Sequence, residues 1–510
     1  MRKEELLGRY IPTGTNPFSR PISEVSFVMS ARLIVVSNRI PSEATPSGGL
    51  VVALHEALRE KGGIWIGAHP ETGPEEPALI DMGGTQYDKL AFRLTEEDRA
   101  AYYLGFANSV LWPIAHHRTD LVEINRSFDE GYLRVNRRIA EQMAEVISPE
   151  DHIWIHDYHF FPLAEELRRL GVTNRIGFFL HIPFPNITDL DVLPDPPAFA
   201  RWLAHYDLVG LQTRADVARC LEMFRADPRA EMLPNGAIKF GAQEVSVRSF
   251  PIGISAESFA RAAQDCAPPP AHELFGDAYV IGVDRLDYSK GLPQRFRAFE
   301  RYLETYDTGP RASLVQIAPP SRESVRAYQE ITADLQRIAG QVNGRFGEVH
   351  WAPIRFLHRP VPRDEIAGLL RGARAALVTP LADGMNLVAK EYVAAQDPED
   401  PGVLVLSRFA GAAEDMTEAL LVNPHDVDET ATAIRRALTM PLEERRARHA
   451  ACMEVVHATD TGAWARSFLD QLAACTPALR ITGRAAEWLR GEEGREFDPG
   501  AHRSISKEEV

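Results

Sequence analysis

Ala373-Arg374-Ala375-Ala376-Leu377-Val378-Thr379-Pro380-Leu381-Ala382-Asp383-Gly384-Met385-Asn386-Leu387-Val388-Ala389-Lys390-Glu391-Tyr392-Val393-Ala394-Ala395-Gln396 is the stretch that decides how this chain is read. It runs as a short buried strand, a polar turn and a helix. Pro380 and Asp383-Gly384 break the strand; Asn386 is the candidate N-cap, with good helix formers behind it. A helix that begins so close to a strand's carboxyl end turns free backbone N–H groups and a positive dipole end into the crevice, which suits a phosphate. Glu391 lies one turn in, on the face of Leu387, and helical side chains lean back toward the N-terminus, so its carboxylate reaches a ligand docked there. A phosphate would repel it, whereas hydroxyls, such as those of a ribose, suit it as donors. An ordinary strand–turn–helix unit with a solvated Glu391 fits this segment equally well.

The same rhythm extends to both sides. Residues 33–36 are a continuous apolar run, typical of a strand covered on both faces, and 152–155, 175–180 and 208–211 read as further strands of mostly apolar residues. Each is followed at once by polar residues: Ser37-Asn38-Arg39, His156-Asp157-Tyr158-His159, His181-Ile182-Pro183-Phe184-Pro185 and Gln212-Thr213. Helical stretches intervene at 161–170 and 215–224, and 129–143 reads as an amphipathic helix. Gly48-Gly49 heads another apolar helix, where glycine lets a backbone approach a ligand closely. A second series, at 279–283, 312–317, 375–378, 402–407 and 420–422, carries Asp284 to Gly291 and Ala318 to Arg322 after its first two runs. This predicts an α/β protein with two Rossmann-like doubly wound domains whose ligands sit off the strands' carboxyl ends. The expected boundaries are a flexible extension at 1–30, a first domain at 31–262, a Pro-rich linker at 263–277, and a second domain at 278–460. A helical segment at 461–485 packs back on the first domain, and 486–510 is a polar tail. Residues 64–135 show no regular pattern.

The 510 residues are 45% hydrophobic and 25% charged, ample for globular cores. The net charge of −16 argues against a nucleic-acid or anionic-membrane partner. Cys220, Cys266, Cys452 and Cys475 have neither metal nor redox spacing and fit reduced thiols of a cytoplasmic protein. No apolar run has the length of a membrane span. His156 and His159 lack a HExxH frame or a matched third ligand, so no metal is expected there.

Arg285 and Lys290, five residues apart on one Gly-terminated loop, could clamp a diphosphate, Arg by its fork and Lys as a point charge. Pairing with Asp284 and Asp287 is equally compatible with that spacing. The polar ends of the first series offer Arg39, Gly49, Asp157 and His181; those of the second offer Arg285, Lys290, Asp383 and Glu391.

In order and spacing, Ser37-Asn38-Arg39, Trp154 to His159, His181 to Pro185, Arg285 to Gly291 and Asp383 to Tyr392 resemble the motifs of the trehalose-6-phosphate synthase family, over roughly residues 31–480. The resemblance implies a metal-independent, retaining GT-B glycosyltransferase with two facing Rossmann-like domains. It would transfer glucose from a nucleotide sugar, usually UDP-glucose, to glucose 6-phosphate, and form a homo-oligomer. It implies that Arg285 and Lys290 hold the donor diphosphate and that Leu387 and Val388 add backbone contacts there. Glu391 would take the ribose hydroxyls, with Asp383 and His181 on the transferred glucose. Gly48, Gly49, Gly384, Met385 and Asn386 would lie close to the donor. Arg39, Tyr103, Trp112 and Arg322 would bind the acceptor's phosphate and Asp157 its hydroxyls, with Arg285, Lys290, Asp157 and His181 central to catalysis. The sequence departs from the family at Asn186 to Asp191 and at Gly67-Ala68, both on the acceptor side. A glucosylglycerol-phosphate synthase with another acceptor, or a non-catalytic regulatory homologue, are the rival readings.

Overall fold

Every apolar run singled out above is a buried strand. In the computed structural model the described residues are 31–41, 49–84, 86–266, 276–306, 311–322 and 325–475. The expected N-terminal extension, Gly48, most of the Pro-rich linker and the polar tail lie outside them. The first half supplies β1 (Leu33–Val36), β2 (Gly63–Ala68), β3 (Ile80–Asp81), β4 (Asp88–Phe92), β5 (His152–His156), β6 (Ile176–Phe179), β7 (Leu208–Leu211), β8 (Ala230–Met232), β9 (Ile238–Phe240) and β10 (Gln243–Ser249). They form one sheet in the order β3-β4-β2-β1-β5-β6-β7-β10-β9-β8, parallel from β4 through β10. The second half supplies β11 (Ala278–Val283), β12 (Ala312–Ile317), β13 (Ile354–Leu357), β14 (Ala375–Val378), β15 (Val403–Ser407) and β16 (Leu420–Val422). These form an all-parallel sheet in the order β13-β12-β11-β14-β15-β16. Each half is a Rossmann-like lobe, and the pair is the two-domain GT-B architecture.

The topology says where a ligand belongs. In the first sheet successive strands run outward in opposite directions from β1 and β5, and in the second from β11 and β14. At such a switch point the loops at the carboxyl ends diverge and leave a crevice. Arg39 and Asp157 follow β1 and β5; Arg285 and Asp383 follow β11 and β14.

The lobes are joined by two chain crossings. Helix Ala256–Asp265 packs against Arg363–Gly372 and Leu387–Ala395, so the chain has already entered the second lobe by Ser255. The crossing therefore lies ahead of the 263–277 linker that composition suggested, because Phe259 and Ala263 on that helix are buried against the second lobe. The return crossing leads into helix Thr461–Ala474, which packs on helix Gly49–Lys61 and β7. Phe468 stacks on Trp154 (centroids 4.6 Å, 12°) and lies flat over Gly177 and Gly210, where a Cβ would stand 2.7 Å from its ring. The crossings touch at Gly253, since a Cβ there would meet Thr459 O at 1.2 Å.

Residues 64–135 hold more order than their pattern suggested. Besides β2 and β4 they contain a wide π-type helix, Arg99–Leu111, running into Trp112–Ala115. Asn108 Nδ2 and Ser109 Oγ each donate to the carbonyl five residues back, Tyr103 O and Leu104 O. That wider turn obeys no 3.6-residue period, which is why the periodicity is lost.

Candidate active site between the lobes

The first lobe's contribution is built on rigid strand ends. After β1, Trp65 Nε1 donates to Ser37 Oγ (2.8 Å) and Ser37 Oγ to Arg39 O (2.8 Å). This leaves Arg39 exposed, with no ion pair among the described residues. After β5 the chain turns sharply at Asp157, φ +75°, where Asp157 N donates to Phe179 O (2.8 Å). Burial pushes the Asp157 carboxyl up to about 6, against the opposing pull of backbone N–H groups at Tyr158 and His181 and of the Arg285 and Arg322 guanidiniums. Tyr103 stacks on His159 (5.8 Å, 11°).

In the second lobe the two pairings that spacing had left open for Arg285 are both taken by other residues. Asp284 binds buried Arg295 (2.6 Å), and Asp287 binds Arg322 (3.1 Å) and Tyr328 Oη (2.6 Å). Arg295 also donates to Gln316 Oε1 (2.8 Å) and Thr379 Oγ1 (3.0 Å), so it ties together the loops after β11 and β14. Arg285 is thereby exposed and without a hydrogen-bond or ion-pair partner among the described residues. Lys290 pairs with Asp383 (2.5 Å), and Gly291 turns the loop at φ +65°, where a Cβ would stand 2.5 Å from Thr379 O.

Asn386 stands at the N-cap position, yet it does not cap. Its φ is +71° and its side chain makes no capping bond; instead Nδ2 donates to Asp383 Oδ2 (3.0 Å). The left-handed turn carries the side chain off the helix end. The consequence favours a ligand: the N–H groups of Leu387 and Val388 have no acceptor among the described residues, and they open helix Leu387–Ala395. One turn on, burial pushes the Glu391 carboxyl up to about 7, opposed by Arg363 3.6 Å away.

The two sides meet. Arg322 Nη2 donates to Tyr158 Oη (3.1 Å), and the Arg322 guanidinium covers the buried Trp112 ring at 4.0 Å, with Arg285 5.9 Å from the same ring. Gly384 presses on His181, where a Cβ would lie 2.2 Å from His181 O. Glu414 accepts from the N–H groups of Arg214 (2.9 Å) and Ala215 (3.2 Å) across the gap. A cavity of about 310 Å³ opens between the lobes, lined by Pro183, Thr213 and Arg219 on one side and Asp383, Arg408 and Gly411 on the other. Met385 is buried beside it. Of the non-glycine residues with left-handed backbone among those described, His117 lines this cavity, Asp157 and Arg322 lie in the loops after β5 and β12, and Asn386 precedes helix Leu387–Ala395; such conformations persist where surrounding structure over-determines them.

Arg322 gives three of its five N–H groups to Asp287, Tyr328 and Tyr158; these contacts brace the lobes and leave Nε and one Nη2 hydrogen for an anion. Sequence reasoning passed over Gln212, Arg295 and Arg363. Only Gln212 carried a signal, as a polar residue directly after a buried strand. Among the described residues no three His, Cys, Asp or Glu side chains converge as metal ligands.

The family model for Glycosyltransferase family 20 matches residues 26–474. The chain belongs to glycosyltransferase family 20. A family relative from Klebsiella pneumoniae, trehalose-6-phosphate synthase, is 44% identical over 467 residues, covering 89% of this chain and 98% of that protein. The solved E. coli trehalose-6-phosphate structure bound with UDP-2-fluoro glucose is 43% identical, with a TM-score of 0.84 over 88% of this chain and 100% of that one. An alpha,alpha-trehalose-phosphate synthase (UDP-forming) from Burkholderia xenovorans, in complex with glucose-6-phosphate, is 41% identical, with a TM-score of 0.82 over 87% and 100%.

Proposed function

We propose that this family 20 glycosyltransferase moves glucose from UDP-glucose to glucose 6-phosphate with retention, giving α,α-trehalose 6-phosphate. The observation that carries it is the pairing of an unpartnered Arg285 with the free helix start at Leu387, opposite Arg39 and Asp157. The near-full-length relatives, one solved with a UDP-glucose analogue and one with glucose 6-phosphate, support the same pair of substrates.

Breaking the sugar–phosphate bond builds negative charge on the leaving diphosphate and positive charge on the ring. Arg285, Lys290 and the N–H groups of Leu387 and Val388 oppose the first without reorganising. Lys290 has three N–H donors and can keep Asp383 on one while it turns the others to the diphosphate; Asp383 takes Lys290 and Asn386 on Oδ2, which leaves Oδ1 for the sugar. The leaving phosphate oxygen takes the acceptor's proton on the face it departs from, so no protein nucleophile enters and Asp157 positions the acceptor. Glu391 accepts from the ribose, Arg39 and Tyr103 border the acceptor's phosphate, and Gly49 lies near the donor. No metal takes part, and activity is expected to persist in chelator; a strict divalent-cation requirement would contradict this. The protein works in the cytoplasm as a homo-oligomer, which light scattering of the purified chain would test. Among the described residues no helix is long and apolar enough to cross a membrane.

Mass spectrometry and NMR of the product, with a panel of donors and of phosphorylated acceptors, test the assignment. The expected product is α,α-trehalose 6-phosphate; a glucosylglycerol phosphate, or ligand binding without turnover, would overturn it.

A further inference from the structure

His156 ends β5 and is fully buried, and nothing in the proposed chemistry uses it. Its Nδ1 lies 3.2 Å from Nε2 of His181, the two rings tilted by 26°. His181 Nδ1 lies 3.5 Å from Gln212 Nε2, and Gln212 Oε1 accepts from Ile252 N (3.1 Å). The direction of this chain of contacts is set from its Gln212 end, and it leaves the buried His156 Nε2–H without an acceptor among the described residues. A backbone N–H only donates, so Gln212 must give its oxygen to Ile252 and turn its NH₂ toward His181. His181 Nδ1 then accepts, and the neutral ring carries its proton on Nε2, which donates to His156 Nδ1. The reverse arrangement sets a ring N–H against the Gln212 amide hydrogens. Burial drives His181 down to about 3 and holds His156 low as well, so neither ring carries charge at neutral pH.

We propose that His156 is a positioning residue for His181: it accepts the Nε2 proton and, with Gln212, fixes His181 as a neutral imidazole whose Nδ1 lone pair is offered to a hydroxyl of the transferred hexose. This rests on the reading of His181 as a contact of that sugar. Nδ1 has a single lone pair, so a hydroxyl that engages it displaces the 3.5 Å contact to Gln212, the longest link in the chain, while Nε2 stays anchored. An imidazolium there would set a positive charge beside a ring that itself becomes positive during transfer. The pair holds the site against that.

The test is a double-mutant cycle on the full chain with UDP-glucose and glucose 6-phosphate. His156→Leu removes the acceptor; His156→Asn keeps one, since Asn Oδ1 can stand where Nδ1 stood. Outer partners that fix a histidine's tautomer are worth about ten- to a hundredfold, so His156→Leu should lower kcat by at least about tenfold with the KM for glucose 6-phosphate unchanged. His156→Asn should recover most of that loss. Combined with His181→Ala, His156→Leu should slow the enzyme no further, because its effect runs through His181. Multiplicative losses, an Asn variant as slow as the Leu variant, or normal turnover in His156→Leu while His181→Ala is slow would each overturn the proposal. Normal turnover in His181→Ala would instead refute the underlying reading of His181, and the proposal with it. Nitrogen-15 shifts of the unmutated protein give a readout independent of any variant's folding: His181 protonated on Nε2 is expected, and protonation on Nδ1 would refute the assignment.

Discussion

Replacing Arg285 with alanine should separate catalysis from stability more cleanly than any other change in this chain. The side chain is exposed, with no hydrogen bond or ion pair among the described residues, and its guanidinium lies 5.9 Å from the Trp112 ring. A cation over a ring at an exposed site is worth about 0.5–1 kcal/mol, so Tm should barely move. The transition state loses far more. One fixed donor aimed at developing charge typically contributes a factor of about 10²–10³ in kcat, or roughly 3–4 kcal/mol. A second signature follows from Asp157, whose carboxyl Arg285 helps to hold down: in the variant the acid limb of kcat/KM for the acceptor should shift to higher pH. Steady-state release of UDP, measured against each substrate and with thermal melts alongside, reads all three effects. Arg285→Lys should fall between, because it restores charge without the bidentate fork. Near-normal turnover in Arg285→Ala would refute the charge-clamp argument, and a large loss of Tm would make Arg285 a structural residue instead.

Glu391, pushed up to about 7 by burial, should make nucleotide affinity rise as pH increases through that value; Glu391→Gln should flatten the titration measured by calorimetry. Because its folded value lies above the ordinary 4.5, ionising this carboxyl costs stability. The wild type should therefore lose stability relative to Glu391→Gln as pH rises from 4.5 to about 7, seen in parallel denaturant melts. Acceptor kcat/KM of the wild type is expected to fall below about pH 6 as Asp157 protonates, and Asp157→Asn should remove that fall, a comparison that also controls for titration of the acceptor's own phosphate. Lys390, which donates to Ile252 O (2.7 Å) and Thr459 Oγ1 (2.9 Å), pins the donor helix to both lobe crossings. Lys390→Met strands a buried carbonyl and should lower unfolding free energy by about 1–3 kcal/mol.

The parallel sheets were legible because their strands are buried on both faces and so must be continuous apolar runs, as at Leu33–Val36 and Leu208–Leu211. The site was legible in part for the same reason: strand ends are where polar residues interrupt those runs, which picked out Arg39, Asp157, Arg285 and Asp383. What the sequence hid was partner choice. Spacing alone could not tell that Arg295 and Arg322 would claim Asp284 and Asp287 and leave Arg285 exposed. Nor could it tell that Asn386 would turn left-handed, since Asn tolerates both the capping and the left-handed conformation. The π-type helix at Arg99–Leu111 escaped because pattern reading assumes a 3.6-residue turn. The His156–His181 contact was closer to reach. The parallel register of His156 with Phe179 sets His181 two residues beyond, on the same face.

A crystal structure of this chain with UDP and glucose 6-phosphate bound would test the account at its centre. The diphosphate should lie within about 3 Å of Arg285, Lys290 and the N–H of Leu387, with the acceptor's phosphate at Arg39 and its hydroxyls at Asp157. A diphosphate seated away from the Leu387 helix start, for instance between Arg219 and Arg408 in the neighbouring cavity, would contradict it.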